Sequence, residues 1–194
     1  MKNTKEKILI AASKLFLAGG LSALSVRAIA RESNLSTIGI YKYFQGKQGI
    51  LDALYIEGFE RLLDALDVPI NIHDPKGNII AAAKGYIKTA FDYQGHYRLI
   101  FGEHVAEYVP SAEAKKVSEK AFMHTTKIIA GILPNDSTFE QKQQASLQIW
   151  SLIHGYIGLK QHAIADEIEP NLWEGLILAA VRLHLDALEQ HSHT

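Results

Sequence analysis

A chain of 194 residues, 47% of them hydrophobic, is long enough to bury a core of ordinary size and to hold one small extra domain. It contains no cysteine, which removes disulfides, thiolate chemistry and cysteine-ligated zinc from consideration. The formal net charge of −1 conceals an asymmetry: residues 1–50 carry eight Lys and Arg against two Glu, while residues 51–194 carry twelve against nineteen Asp and Glu. A basic head on an acidic body calls for a polyanionic partner of the head alone. No apolar run reaches the roughly 18–20 uncharged residues that span a bilayer, and Met1 to Glu6 lead into an amphipathic helix instead of a signal-peptide apolar region. A soluble, cytoplasmic protein is expected.

In chain order, the first helix is expected from an N-cap at Thr4, burying Ile8, Ala11, Ala12, Leu15 and Phe16 and stopping at Gly19-Gly20. Two short helices follow. Ser25 caps the first and Ser36 the second, each hydroxyl serving backbone N–H groups that have no intrahelical acceptor. Val26, Ile29 and Ala30 share one face, and Ile40, Tyr41 and Phe44 lie at a compatible spacing, so the pair can share a small core as a helix-turn-helix. The second helix then presents Thr37, Ile38, Lys42 and Tyr43 outward, a mixture suited to a DNA groove and its phosphates.

A fourth helix is expected from Gly46-Lys47 through Leu66, ending before Pro69. Asp74 caps the next, with Pro75 at its first position and Ile79, Ile80, Ala83, Tyr86, Ile87 and Phe91 buried. Gly95 is expected to break the pattern before a short helix at Tyr97 to Gly102, and Pro110-Ser111 opens a helix ending near Gly131 to Pro134. Ser137-Thr138-Phe139-Glu140 reads as a capping box starting a long helix to about Ala165. Pro170 starts the last helix, with Leu172, Leu176, Ala179, Leu183 and Leu188 on its apolar side. The fold class is all-α, with about nine helices and no convincing strand alternation.

Residues 4–55 resemble the DNA-binding domain of the TetR family of transcriptional regulators. The resemblance rests on Gly19-Gly20, Ser25, Ile29-Ala30, Leu35-Ser36, Tyr41-Lys42-Tyr43-Phe44 and Lys47-Gln48-Gly49-Ile50-Leu51. One departure is Ile38-Gly39, where many members carry Gly-Thr or Gly-Ala. The resemblance implies phosphate contacts by Tyr41, Lys42, Lys47 and Arg27, and the full set expected at the DNA is Ser25, Arg27, Ser36, Thr37, Ile38, Gly39, Tyr41, Lys42, Tyr43 and Lys47. Farther on, Tyr97-Arg98-Leu99-Ile100-Phe101-Gly102 and the Trp150 to His154-Gly155 segment are similar to a subgroup with a Trp-His-Gly signature. That likeness implies a homodimer through the last two helices and a ligand pocket within residues 74–165, with Tyr97, Phe101, His104, Trp150 and His154 as its expected contacts.

The domains are therefore expected at 1–50, for DNA binding, and 51–194, for ligand binding and dimerisation. The expected function is that of a ligand-responsive repressor on a near-palindromic double-stranded operator, released by a small-molecule effector, with no cofactor, metal or membrane. Nine histidines raise the alternative of a metal-dependent helical-bundle enzyme. No His has a Glu three residues before it, however, and no His-Glu-x-x-His, phosphate loop or nucleophile elbow occurs. A nonspecific architectural DNA binder would need basic charge over far more of the chain than the acidic body allows.

Overall fold

The computed structural model describes residues 3–101, 108–162, 165 and 167–191, and these are helical nearly throughout. Among them the α-helices are α1 (Thr4–Gly19), α2 (Val26–Ser33), α3 (Thr37–Tyr43), α4 (Lys47–Leu66), α5 (Pro75–Asp92), α6 (Gln94–Phe101), α7 (Ala112–Ile129), α8 (Phe139–Leu159) and α9 (Trp173–His191). Short 3-10 turns occupy Gly20–Ala23 and Ala130–Ile132. The all-helical expectation is met. The chain forms two compact units, Met1–Arg61 with Asp92–Glu119, and Leu62–Phe91 with Lys120–Thr194. Helices α4 and α7 each contribute residues to both.

In the first unit, the N-cap of α1 lies one residue earlier than the sequence suggests. Asn3 Oδ1 accepts the Glu6 N–H at 2.9 Å, and Glu6 Oε2 accepts the Asn3 N–H at 3.0 Å. This reciprocal pair satisfies two otherwise orphaned donors, so Thr4 becomes the first helical residue instead of the cap. The helix stops at Gly20, whose φ of 63° lies in the left-handed region that glycine tolerates. Ile8, Ala12, Ile29, Ile40 and Ile50 are completely buried together, with Phe16, Phe44 and Leu54 around them. Tyr41 is not part of that core. It is 60% exposed, because Ile40 and Phe44 already fill the inward side of so short a helix.

Gly95, expected as a break, lies inside α6. A Cβ there would sit 2.3 Å from Ser13 Oγ and 2.8 Å from the Ser13 carbonyl oxygen, so glycine permits the close approach of α6 to α1. Gly95→Ala is expected to destabilise the protein by about 1–3 kcal/mol through overpacking against backbone, read as a lower thermal midpoint. An unchanged midpoint would show that the two helices separate without cost. Beside this contact, His96 Nδ1 lies 3.4 Å from Ser13 Oγ and its Nε2 lies 3.2 Å from Glu57 Oε2, while Arg61 pairs with Glu57 and stacks over Tyr93. The His96 hydrogen bond, aided by Arg61 and opposed by burial, holds the Glu57 carboxyl below its ordinary range. Its contribution to stability is therefore complete above the ordinary carboxylate range and is lost as pH falls through the lowered value.

In the second unit Asp74 caps α5 as expected, its Oδ1 accepting the Gly77 N–H at 2.8 Å. Ile79, Ala83, Tyr86 and Ile87 are buried, while Ile80 and Phe91 are only partly so. The start of α8 shifts by one residue. Thr138 is the N-cap and Gln141 its partner, in place of Ser137 and Glu140, since the cap hydroxyl must reach the third helical N–H. The helix ends at Leu159, short of Ala165, and α9 begins at Trp173 rather than Pro170. The side of α9 that packs inward also differs: Trp173, Ile177, Val181 and Leu185 are buried, whereas Leu172, Leu176 and Leu183 are 53%, 42% and 72% exposed.

Candidate functional site

The helix-turn-helix is built from local hydrogen bonds. Ser25 Oγ accepts the Ala28 N–H at 3.1 Å and Ser36 Oγ accepts the Gly39 N–H at 3.0 Å. Between them, Asn34 takes a left-handed conformation with φ 55°, its N–H returning to carbonyls at the end of α2. Asparagine tolerates that region better than other side chains, so the residue itself signals the turn, although it is not among the turn signals taken from the sequence above. The consequence is a fixed turn of Asn34, Leu35 and Ser36 between two capped helices.

On this frame the residues expected at DNA separate by exposure. Ser25, Arg27, Ser36, Ile38, Tyr41, Lys42 and Tyr43 are exposed, Ile38 to 81%, and Thr37, Gly39 and Lys47 are partly buried. Positions 38, 41 and 42 are neighbours on one helical face by their three- and four-residue spacing. Lys47 also supports the fold, since its Nζ donates to the Leu21 carbonyl at 2.7 Å and ties the start of α4 to the turn after α1. Gly46, with φ 83°, lets the chain turn into α4 beneath Tyr41.

A second feature lies in the second unit. Leu66, Ile79, Ala83, Ile129, Ile149 and Ile153 line an apolar cavity of about 30 Å³, together with Tyr86 and Trp150. Trp150 Nε1 donates to the Tyr86 hydroxyl at 2.6 Å, and the hydroxyl lies 3.3 Å from His154 Nδ1. Having accepted from tryptophan, Tyr86 has its one proton available for histidine. Trp150 also stacks on Phe122, with ring centres 5.3 Å apart. Polar atoms on an apolar wall thus satisfy one another.

The pocket residues expected from the sequence do not all gather here. Trp150 lines the cavity, and His154 is linked to it through the hydroxyl of Tyr86, which the sequence places only in the core. Tyr97 and Phe101 belong to the first unit, with ring centres 5.1 Å apart, and Phe101 meets Phe59 edge-on at 5.4 Å. His104 lies outside the described residues. Among the described residues no group of three or more His, Asp or Glu side chains is arranged to hold a metal ion. No helix among them is long and apolar enough to cross a membrane.

Comparison with known proteins gives this arrangement a family. Residues 8–54 match bacterial regulatory proteins of the tetR family, and residues 79–174 match the C-terminal domain of tetracycline repressor-like proteins. The chain belongs to the TetR family. One relative of the TetR-family chain is the Bacillus subtilis (strain 168) protein named "Probable HTH-type transcriptional regulator YttP", 26% identical over 104 residues that make up 52% of this chain and 50% of that protein. The chain thus matches about half the length of that curated relative. Among solved structures, the fatty acid degradation regulator FadR from Bacillus halodurans has the same fold, with a TM-score of 0.73 at 14% identity over 95% of this chain and 96% of that one. The TetR-family regulator PfmR from Thermus thermophilus has a TM-score of 0.71 at 18% identity, over 92% of this chain and 97% of that one.

Proposed function

We propose that this TetR-family chain is a ligand-responsive transcriptional repressor that binds a near-palindromic operator as a homodimer and leaves it when a small-molecule effector binds. The observation that carries the reading is the outward face of α3, where Ile38, Tyr41 and Lys42 stand exposed on a helix held by Ser36 and the core residue Ile40. A recognition helix needs this division between an anchored side and a free side. Residues 1–50 are assigned to DNA binding and residues 51–194 to ligand binding and dimerisation, in a cytoplasmic protein. Ser25, Arg27, Ser36, Thr37, Gly39, Tyr43 and Lys47 join the α3 face as DNA contacts.

Two further features support the reading. The stripe of Leu176 and Leu183 on α9, continued by Leu172 just before it, with exposed Leu147 and Leu159 on α8, offers an apolar surface for the same two helices of a second copy. The cavity at Tyr86 and Trp150, whose hydrogen bonds extend to His154, suits an effector whose larger part is apolar, with one polar group for the hydrogen-bonded trio. Trp150 and His154-Gly155 are similar to the Trp-His-Gly signature of one subgroup of the family.

Lys42→Ala tests the DNA face. Lys42 is exposed near the end of α3 and is assigned to a phosphate, which releases counterions but carries no base information. The variant is expected to bind all duplexes more weakly by a similar factor, with the slope of log affinity against log salt reduced by about one unit. An unchanged slope removes Lys42 from the contacts, and failure of the parent protein to bind any duplex at low salt overturns the reading.

A further inference from the structure

The chemistry of α3 narrows what an operator can look like, and the inference rests on the DNA-binding reading above. Sequence is read in the major groove by bidentate hydrogen bonds from Arg, Lys, Asn or Gln, by carboxylates on cytosine, by Ser or Thr hydroxyls, or by apolar contact with the thymine 5-methyl group. The helix Thr37-Ile38-Gly39-Ile40-Tyr41-Lys42-Tyr43 contains no Arg, Asn, Gln, Asp or Glu. Its Lys42 stands in the last turn, whereas the residues of a recognition helix that meet base edges are those near its start. At the start, the Ser36 hydroxyl oxygen is engaged as the N-cap by the Gly39 N–H, Thr37 is partly buried, Gly39 has no side chain, and Ile40 is completely buried. Ile38 is left as the outward side chain there, 81% exposed. An isoleucine so placed has no hydrogen bond to offer, and the one base-specific group in the groove that it can cover is a methyl.

We propose that Ile38 reads a thymine 5-methyl group in each half-site, so that the position facing the start of α3 is an A·T pair recognised by apolar contact. The neighbours fit this role. The missing side chain at Gly39 lowers the bulk beside Ile38, and Lys42, one turn farther along the same face, is placed to hold the adjoining phosphate.

The test begins with duplexes enriched from a randomised library on the full-length protein. Each thymine of the enriched duplex is then replaced in turn by deoxyuridine, which keeps base pairing and removes only the methyl. One thymine per half-site is expected at which uridine lowers affinity about fourfold, the worth of one buried methyl, and about fifteenfold when both half-sites are changed. Ile38→Ala, whose side chain lies outside the core, is expected to stay folded and to bind the thymine and uridine duplexes equally. The proposal fails if uridine is tolerated at every thymine, if the discriminating positions are all G·C, or if the variant keeps the preference for thymine. In those cases sequence-specific binding persists and the DNA-binding reading survives. If no duplex is enriched at all, that reading falls and the proposal falls with it.

Discussion

Replacing Leu176 and Leu183 together by glutamate is expected to give a folded monomer whose operator affinity is lower by a factor between about 100 and 10,000. Both side chains stand on the outward stripe of α9, at 42% and 72% exposure, while the fold is held by Trp173, Ile177, Val181 and Leu185 on the opposite side. Charging the outward stripe therefore leaves the core intact and removes apolar surface from the proposed dimer. Glutamate is itself a good helix former, so α9 should persist. Two linked heads gain affinity because the second binds at high effective concentration, a gain of roughly 10²–10⁴ that a monomer forfeits. Sedimentation and circular dichroism would be read beside operator binding. A dimer with full affinity and unchanged helicity would place the interface elsewhere, and Ile177→Glu, at a fully buried position, is the unfolded control.

The second large effect concerns the switch. A cavity of about 30 Å³ has space for little more than one water molecule, whereas small-molecule pockets run to several hundred Å³. On the proposed reading an effector would enlarge it, and the lining residues it would push against include Leu66, the last residue of α4. That helix is unbroken back to Lys47, so a tilt at its end is one way to alter the spacing of two heads that must enter major grooves about 34–36 Å apart. If the effector lowers operator affinity about 100-fold, the coupling is about 2.7 kcal/mol, and operator DNA must weaken effector binding by the same factor. Titration calorimetry with and without operator checks the reciprocity. Equal effector affinity in both would mean that the cavity does not control DNA binding. Tyr86→Phe keeps the ring and leaves Trp150 Nε1 and His154 without their shared hydroxyl, so it is expected to change effector affinity more than operator affinity.

The parts that local chemistry specifies were legible in the sequence. Ser25, Ser36 and Asp74 cap their helices as expected, because a cap oxygen and the N–H it serves lie three residues apart and need no distant partner. The same locality explains the small error at Thr4, where Glu6 stands three residues after Asn3 and selects it as the cap. At Ser137 the local signal is degenerate, since Ser137 with Glu140 and Thr138 with Gln141 both have the box spacing, and the folded chain uses the second pair. The expectation at Gly95 fails for a different reason. Glycine signals a break and a close approach equally well, and only the position of Ser13 on another helix distinguishes them.

The outward Ile38, Lys42 and Tyr43 of α3, its buried Ile40 and the basic excess of the first 50 residues follow from sequence alone, since a short capped helix has one apolar side to bury and charge can be counted without a fold, whereas the exposure of Tyr41 was settled by packing. The joining of Tyr86 to Trp150 and His154 was decided by packing, which brought together residues 64 and 68 positions apart. So was the orientation of α9. Its two apolar stripes, one through Leu172, Leu176 and Leu183 and the other through Trp173, Ile177, Val181 and Leu185, both repeat at helical spacing. Periodicity identifies such a helix, but which stripe turns inward depends on the shape of the surface that α8 and its neighbours offer, and that exists only once the chain has folded.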